Sequence, residues 1–343
     1  MYGAKLGVTW RPSAEWFFDY SADAAAYARE SGENHIRHRA LIRLADGERY
    51  RFQTAFTFVQ GPREGVEFDA GRSAWATVLV RERRQQIQNR TQLERTWTYD
   101  DWFIRPSAAL TAFDLQARKR TDVAGYDNWI DRYDLAGGLD LGHQAVLGGE
   151  LYGGWRYGRQ YQGREGNRPT DRSNRYQRFL VGYKGDVTDQ LQFKVETGPT
   201  YHRYEDSESV GDAVIRHWYL DASGTYRFSD STRLTGVASQ SKSVASTGLL
   251  SNEIRTLGVT LHHRFDPDWS LRLGHSYRTL LYDDRDLKDL LLTSEATLAW
   301  KLRPQAVIEL SAAHETGRDA SRVRNEAREF RRFIASIQAS YRY

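Results

Sequence analysis

Apolar and polar residues alternate one for one along almost the whole chain. Over 332–343, Phe333, Ala335, Ile337, Ala339, Tyr341 and Tyr343 share one face, and Arg332, Ser336, Gln338, Ser340 and Arg342 share the other. Over 268–282, Trp269, Leu271, Leu273, Tyr277 and Leu281 oppose Ser270, Arg272, Gly274, Ser276 and Arg278. Over 290–302, Leu290, Leu292, Ala296, Leu298, Trp300 and Leu302 oppose Thr293, Glu295, Thr297 and Lys301. A two-residue period sends alternate side chains to opposite faces of a β-strand. The same pattern predicts strands at 3–10, 15–28, 35–44, 49–59, 86–99, 102–116, 129–141, 145–158, 175–184, 190–204, 213–228, 232–240, 253–265 and 305–315. These strands are longer than the roughly five or six residues usual in soluble proteins.

The connections alternate too. Tight links at Asp100-Asp101, Ser229-Asp230, Asp266-Pro267-Asp268 and Arg303-Pro304-Gln305 take turns with polar stretches at 61–85, 117–128, 159–174, 205–212, 241–252 and 317–328. Trp10, Trp16, Trp97, Tyr99, Trp102, Phe228, Phe265, Trp269 and Trp300 gather at the tight links. On a cylinder they form one ring at one rim. A soluble sandwich or propeller also alternates, but strand length, the clustered rings and the aromatic closing strand all favour a membrane barrel. The expected fold is all-β: a single domain over 1–343, a transmembrane antiparallel up-and-down β-barrel of about 16–18 strands. Short periplasmic turns and longer extracellular loops are expected. The segments number about 17, whereas bacterial barrels are normally even, so either a first strand has been trimmed or 61–92 is misread. Ser73–Val80 reads as a strand, and 81–90 as its continuation, a short helix or an inward constriction loop.

Composition narrows this picture. The chain has no Cys, 20 Tyr, 10 Trp and one Met, with a mean hydropathy of −0.70. The lack of Cys removes disulfide scaffolds, thiolate metal sites and cysteine nucleophiles. No run of about 18 apolar residues exists, which excludes a transmembrane helix but not a barrel, whose strands hide their polar backbone in one another. No signal peptide follows Met1, so a barrel reading takes the sequence as a mature or trimmed form.

The inward face carries the candidate chemistry. Projecting the strands predicts a lumen lined by Arg37, Arg39, Arg43, Arg51, Arg105, Arg156, Arg178, Lys194, Arg227, Arg233, Arg264, Arg272, Arg278, Glu295, Lys301 and Glu309. Fewer acids point inward, among them Asp19, Asp23, Glu94, Asp134, Asp140, Glu150, Glu196, Asp221 and Glu315. A surplus of basic groups favours anions weakly; the competing reading is that Arg and Glu on adjacent strands pair and brace the wall. Inward rings at Phe17, Tyr27, Tyr152 and Tyr219 are too scattered for a sugar-guiding track. His217 with Asp221 and His314 with Ser311 are ordinary neighbours in alternating strands, so no catalysis and no cofactor is expected. Asp283, Asp284, Asp286 and Asp289 form an acidic loop without the glycine and terminal glutamate of a helix-loop-helix calcium site, so no metal is expected. Gly148-Gly149 and Gly153-Gly154 read as one strand that bends or admits a large ring. Net charge is +4 with pI about 9.1, spread over every strand, which excludes nucleic acid as a partner.

The stretches Gln85-Gln86-Ile87-Gln88-Asn89-Arg90-Thr91, Trp102-Phe103-Ile104-Arg105-Pro106-Ser107-Ala108 and 331–343 resemble a loosely defined group of bacterial outer-membrane β-barrel porins, some of them associated with exopolysaccharide genes. The resemblance implies an integral outer-membrane protein and carries no functional residue across. The expected function is a passive pore for small polar or anionic solutes, gated if at all by 61–85. The alternatives are an export channel for a secreted polysaccharide, working with periplasmic export components, and a plugged structural barrel. Outer-membrane lipids and lipopolysaccharide are the expected surroundings, and the barrel-assembly machinery is expected to read the closing strand ending at Tyr343.

Overall fold

The computed structural model of the chain describes residues 2–26, 34–47, 49–60, 85–116, 132–146, 148–162, 173–205, 214–244, 251–282, 287–320 and 329–341. Tyr27, the stretch 61–84, Asp283, Asp284, Asp286, Arg342 and Tyr343 lie outside them. The described residues form strands and turns without a helix. In chain order these are β1 (Tyr2–Trp10), β2 (Trp16–Ala26), β3 (His35–Asp46), β4 (Tyr50–Gln60), β5 (Gln85–Arg95), β6 (Trp97–Tyr99), β7 (Trp102–Gln116), β8 (Arg132–Val146) and β9 (Gly149–Gln162). The second half holds β10 (Asn174–Asp186), β11 (Leu191–Tyr204), β12 (Val214–Ser229), β13 (Thr232–Val244), β14 (Ser251–Arg264), β15 (Trp269–Tyr282), β16 (Leu287–Arg303), β17 (Ala306–Asp319) and β18 (Phe330–Tyr341).

Each strand pairs antiparallel with its chain neighbours in one up-and-down meander. β5 and β6 both pair with β7 and are two stretches of one strand, broken at Thr96, whose amide donates to the Arg49 carbonyl at 2.7 Å. Among the described residues eighteen segments therefore make seventeen crossings, and β1 and β18 run the same way. No ladder among the described residues joins those two edges, so the sheet they form is open.

Tight turns close one rim. Asp100 adopts a φ of 50° in its two-residue turn, a left-handed conformation Asp tolerates because its short polar chain bonds locally. At the β14–β15 turn the Asp266 carboxylate accepts the amides of Asp268 at 2.8 Å and Trp269 at 2.7 Å, the local side-chain bond that makes Asp a turn former. The β8–β9 turn differs from the sequence expectation. Gly142 stays inside β8 beneath the Phe103 ring, and the chain reverses at Gly148, where φ is 72°. Gly148 is thus a turn residue, apart from the strand that holds Gly153 and Gly154, and both flanking strands run several residues further than the alternation suggested.

The outer face is apolar. Leu6, Val8, Leu139, Leu141, Phe179, Val181, Leu257, Val259, Phe333 and Ile337 are all exposed on it. Near the tight turns it ends in Trp10, Trp16, Trp97, Tyr99, Trp102, Phe228 and Phe265, with Trp269 stacked on Trp300 at 5.3 Å. Toward the other rim Tyr133, Tyr157 and Trp218 make a partial second belt, and Tyr133 stacks on Tyr161 at 4.7 Å. Ten residues separate Tyr133 from His143, which packs on Trp102. That is about 33 Å along a strand, or about 25 Å of height at a tilt of about 40°, the thickness of the apolar band of a membrane barrel. Some polar groups on this face bond to each other: Asn89 Nδ2 donates to Thr54 Oγ1 at 3.1 Å, and Tyr20 OH lies 2.8 Å from His38 Nδ1.

Candidate functional site

Register assigns the opposite face. Starting from Asp140 opposite Arg105 and following the ladders strand by strand, even residues of β5, β8–β11, β14, β15 and β18 share a face with odd residues of β1–β4, β7, β12, β13, β16 and β17. Arg37, Arg39, Arg43, Arg51, Arg105, Arg156, Arg178, Lys194, Arg227, Arg233, Arg264, Arg272, Arg278, Glu295, Lys301 and Glu309 all stand on it. His314 and Ser311 stand on opposite faces, which removes that pair as a catalytic couple.

The charges on this inner face are used in three ways. The first is a buried ionic knot on β7–β9. The Asp140 carboxylate is 3% exposed and accepts Arg156 Nη1 at 2.5 Å and Nη2 at 3.0 Å. Its Oδ2 also lies 3.5 Å from Arg105 Nε, while Arg105 Nη1 donates to Glu150 at 2.9 Å. The Arg105 guanidinium sits 4.6 Å from the Phe103 ring centre and 5.1 Å from that of Tyr152, whose hydroxyl donates to Glu196 at 2.6 Å. Desolvated charges persist only when paired and bonded in this way. Glycine makes the room: a Cβ at Gly182 would fall 2.2 Å from the Tyr152 ring.

The second is a polar core near the long-connection rim. Gln160 on β9 donates to Asp134 at 3.0 Å and to the backbone carbonyl of Lys242 on β13 at 3.3 Å. β9 and β13 are four strands apart in the ladder yet meet here, so the wall curls tightly at this rim. Asn174 Nδ2 donates to Gln160 at 3.1 Å, its Oδ1 lies 2.7 Å from His202 Nδ1, and Tyr176 OH donates to Asp134 at 2.9 Å. The His202 ring packs 4.8 Å from that of His217 and 5.3 Å from that of Tyr176. Tyr152, Tyr176 and Tyr204 are buried, so they offer no ring face to a passing sugar. Sequence reasoning missed this core, because a polar inward residue in a strand looks solvated until a distant strand covers it.

The third is open to water. Arg39, Arg227, Arg233, Arg264, Arg272, Arg278 and Lys301 form no ion pair among the described residues, whereas Arg37 holds Asp23, Arg51 holds Glu94, Lys194 holds Asp221 and Arg332 holds Glu315. Pairing across the wall, one of the two sequence readings, accounts for the charges of some sectors and leaves those of others unpaired among the described residues. Asp289 is buried on this face, and no cluster that could hold a metal occurs among the described residues.

A long-stranded wall with an apolar band outside and charge inside is the architecture of membrane β-barrels. No protein-family model and no curated protein matches the chain. Among solved structures it is similar to the ferripyoverdine receptor of the outer membrane of Pseudomonas aeruginosa, at 10% identity and TM-score 0.44, over 99% of this chain and 59% of that one. It is similar to the FrpB iron transporter from Neisseria meningitidis at 10% identity and TM-score 0.48, over 99% and 65%. For the siderophore receptor PirA from Pseudomonas aeruginosa the values are 9% and 0.44, over 99% and 69%. The chain spans about three-fifths of the length of the first of these structures. None of them is a porin by description.

Proposed function

We propose that the chain forms the wall of an integral outer-membrane β-barrel that passes small polar solutes along its inner face and favours anions. The observation that carries this reading is the separation of faces. Among the described strand residues every exposed Leu and Trp, and every exposed Val but Val237, lies on one side of the ladder, and the other side holds more cations than its carboxylates neutralise in the sector from β12 to β16. Unpaired basic groups in a water-filled passage lower the barrier for anions and raise it for cations. The tight turns then face the periplasm, the apolar band faces lipid, and the alternating β18 is the segment the assembly machinery reads.

Single-channel recording of the purified protein in a planar bilayer, under a salt gradient, tests this. Stable open steps with a reversal potential on the chloride side are expected. A folded protein without conductance, or one that prefers potassium, overturns it. The contact of β9 with β13 favours a second reading, in which the polar core closes part of the long-connection rim and the barrel is gated or plugged. In that case steps appear only when the core is loosened, as in Gln160→Ala.

A further inference from the structure

Near the tight-turn rim the inner basic side chains of four successive strands, three arginines and a histidine, stand directly opposite one another. Arg227 of β12 faces Arg233 of β13, Arg233 faces His262 of β14, and His262 faces Arg272 of β15. Arg264 lies two residues nearer the turn on β14. At about 4.8 Å per strand the row is about 14 Å long. Like charges placed directly opposite repel. Where basic residues oppose elsewhere, one partner holds a carboxylate: Arg156, opposite Arg178, binds Asp140, and Lys194, opposite Lys184, binds Asp221.

The row has no such relief among the described residues. Arg272 Nη2 donates only to Thr297 Oγ1 at 3.4 Å, and Arg264 Nη2 to the Asp230 carbonyl at 3.5 Å. Neither Glu295, opposite Gly274, nor the turn residues Asp230 and Asp266 form an ion pair with the row among the described residues. All four arginines are exposed.

We infer that this row binds a multivalent oxyanion of the phosphate class, a polyphosphate or phosphate ester, at the tight-turn mouth of the barrel. Guanidinium forks match phosphate oxygens two by two, and several of them spaced along a line match a chain of phosphates better than a single small anion. The site rests on the transport reading only in lying on the solute path; binding itself does not require conduction.

The test uses the full chain in detergent micelles and, in parallel, in planar bilayers, with tripolyphosphate as the probe. Calorimetric titration is expected to show saturable binding that weakens tenfold or more, as loss of charge-assisted hydrogen bonds implies, in the Arg233→Gln/Arg272→Gln double variant. Arg51→Gln, which alters a paired arginine on β4, leaves it unchanged. In the bilayer, tripolyphosphate reduces the current of the native protein and not of the double variant. Heat-modifiable migration on gels confirms that each variant is folded. Absent binding, or equal binding by native and double-variant protein, overturns the site, and a normal conductance then leaves the transport reading standing. Specific binding without conductance keeps the site and overturns transport.

Discussion

Asp140→Ala is expected to lower folding stability by about 3–5 kcal/mol, the cost of removing one partner from a buried ion pair. The carboxylate is the only group within ion-pair distance of both Arg105 and Arg156 among the described residues. Arg105 keeps Glu150 after the change, but Arg156 is left with no carboxylate at 16% side-chain exposure. Denaturant unfolding in micelles, followed by tryptophan fluorescence, reads the loss. Arg51→Gln is the comparison, because its pair with Glu94 is 49% and 30% exposed and such pairs contribute at most about 1 kcal/mol. Equal effects of the two substitutions would mean that the inner face is solvated from end to end.

Leu257→Arg is the second large expectation. Leu257 stands midway along β14, 62% exposed, beside Val259 and opposite Ala238 and Tyr277. In water an exposed Leu→Arg change is nearly neutral. In the middle of a bilayer it costs about 2–4 kcal/mol. Thr260→Arg, three residues further along on the inner face and opposite Thr235 and Gly274, is expected to cost little, since it adds no charge to the lipid-facing side. Unfolding and refolding of both variants in lipid vesicles compares them, and equal costs would remove the lipid from the outer face.

Most of the strand plan is legible in the sequence because a two-residue period has one physical meaning. The alternation of 268–282 and 290–302 became β15 and β16, and Asp266-Pro267-Asp268 became their neighbouring turn. It misled where glycine carries two meanings. Gly142 admits the Phe103 ring within a strand, and Gly148 turns the chain, so the alternation placed that turn too early. The break at Thr96 was invisible because both sides of it keep the same period. The face of each predicted lining residue could be read off parity, but Asp289, read as part of a loop, stands inward on β16, and the partners could not be read at all. Gln160 meeting Lys242 depends on how far β9 to β13 curl, and Arg227 meeting Arg233 depends on a register that only the turn at Asp230 sets. Periodicity reports faces; depth and pairing are properties of the folded wall.

The central claim is that one face of this wall lies in lipid and the other in water. The absence of native cysteine makes a single-cysteine scan of 253–264 clean, and each site, reconstituted in vesicles, is read by a fluorophore quenched from brominated lipid or from aqueous iodide. Lipid quenching at 257, 259 and 261 with iodide quenching at 256, 258, 260 and 262 is the predicted result. Uniform aqueous access at every position, or lipid quenching on the even residues, would contradict it.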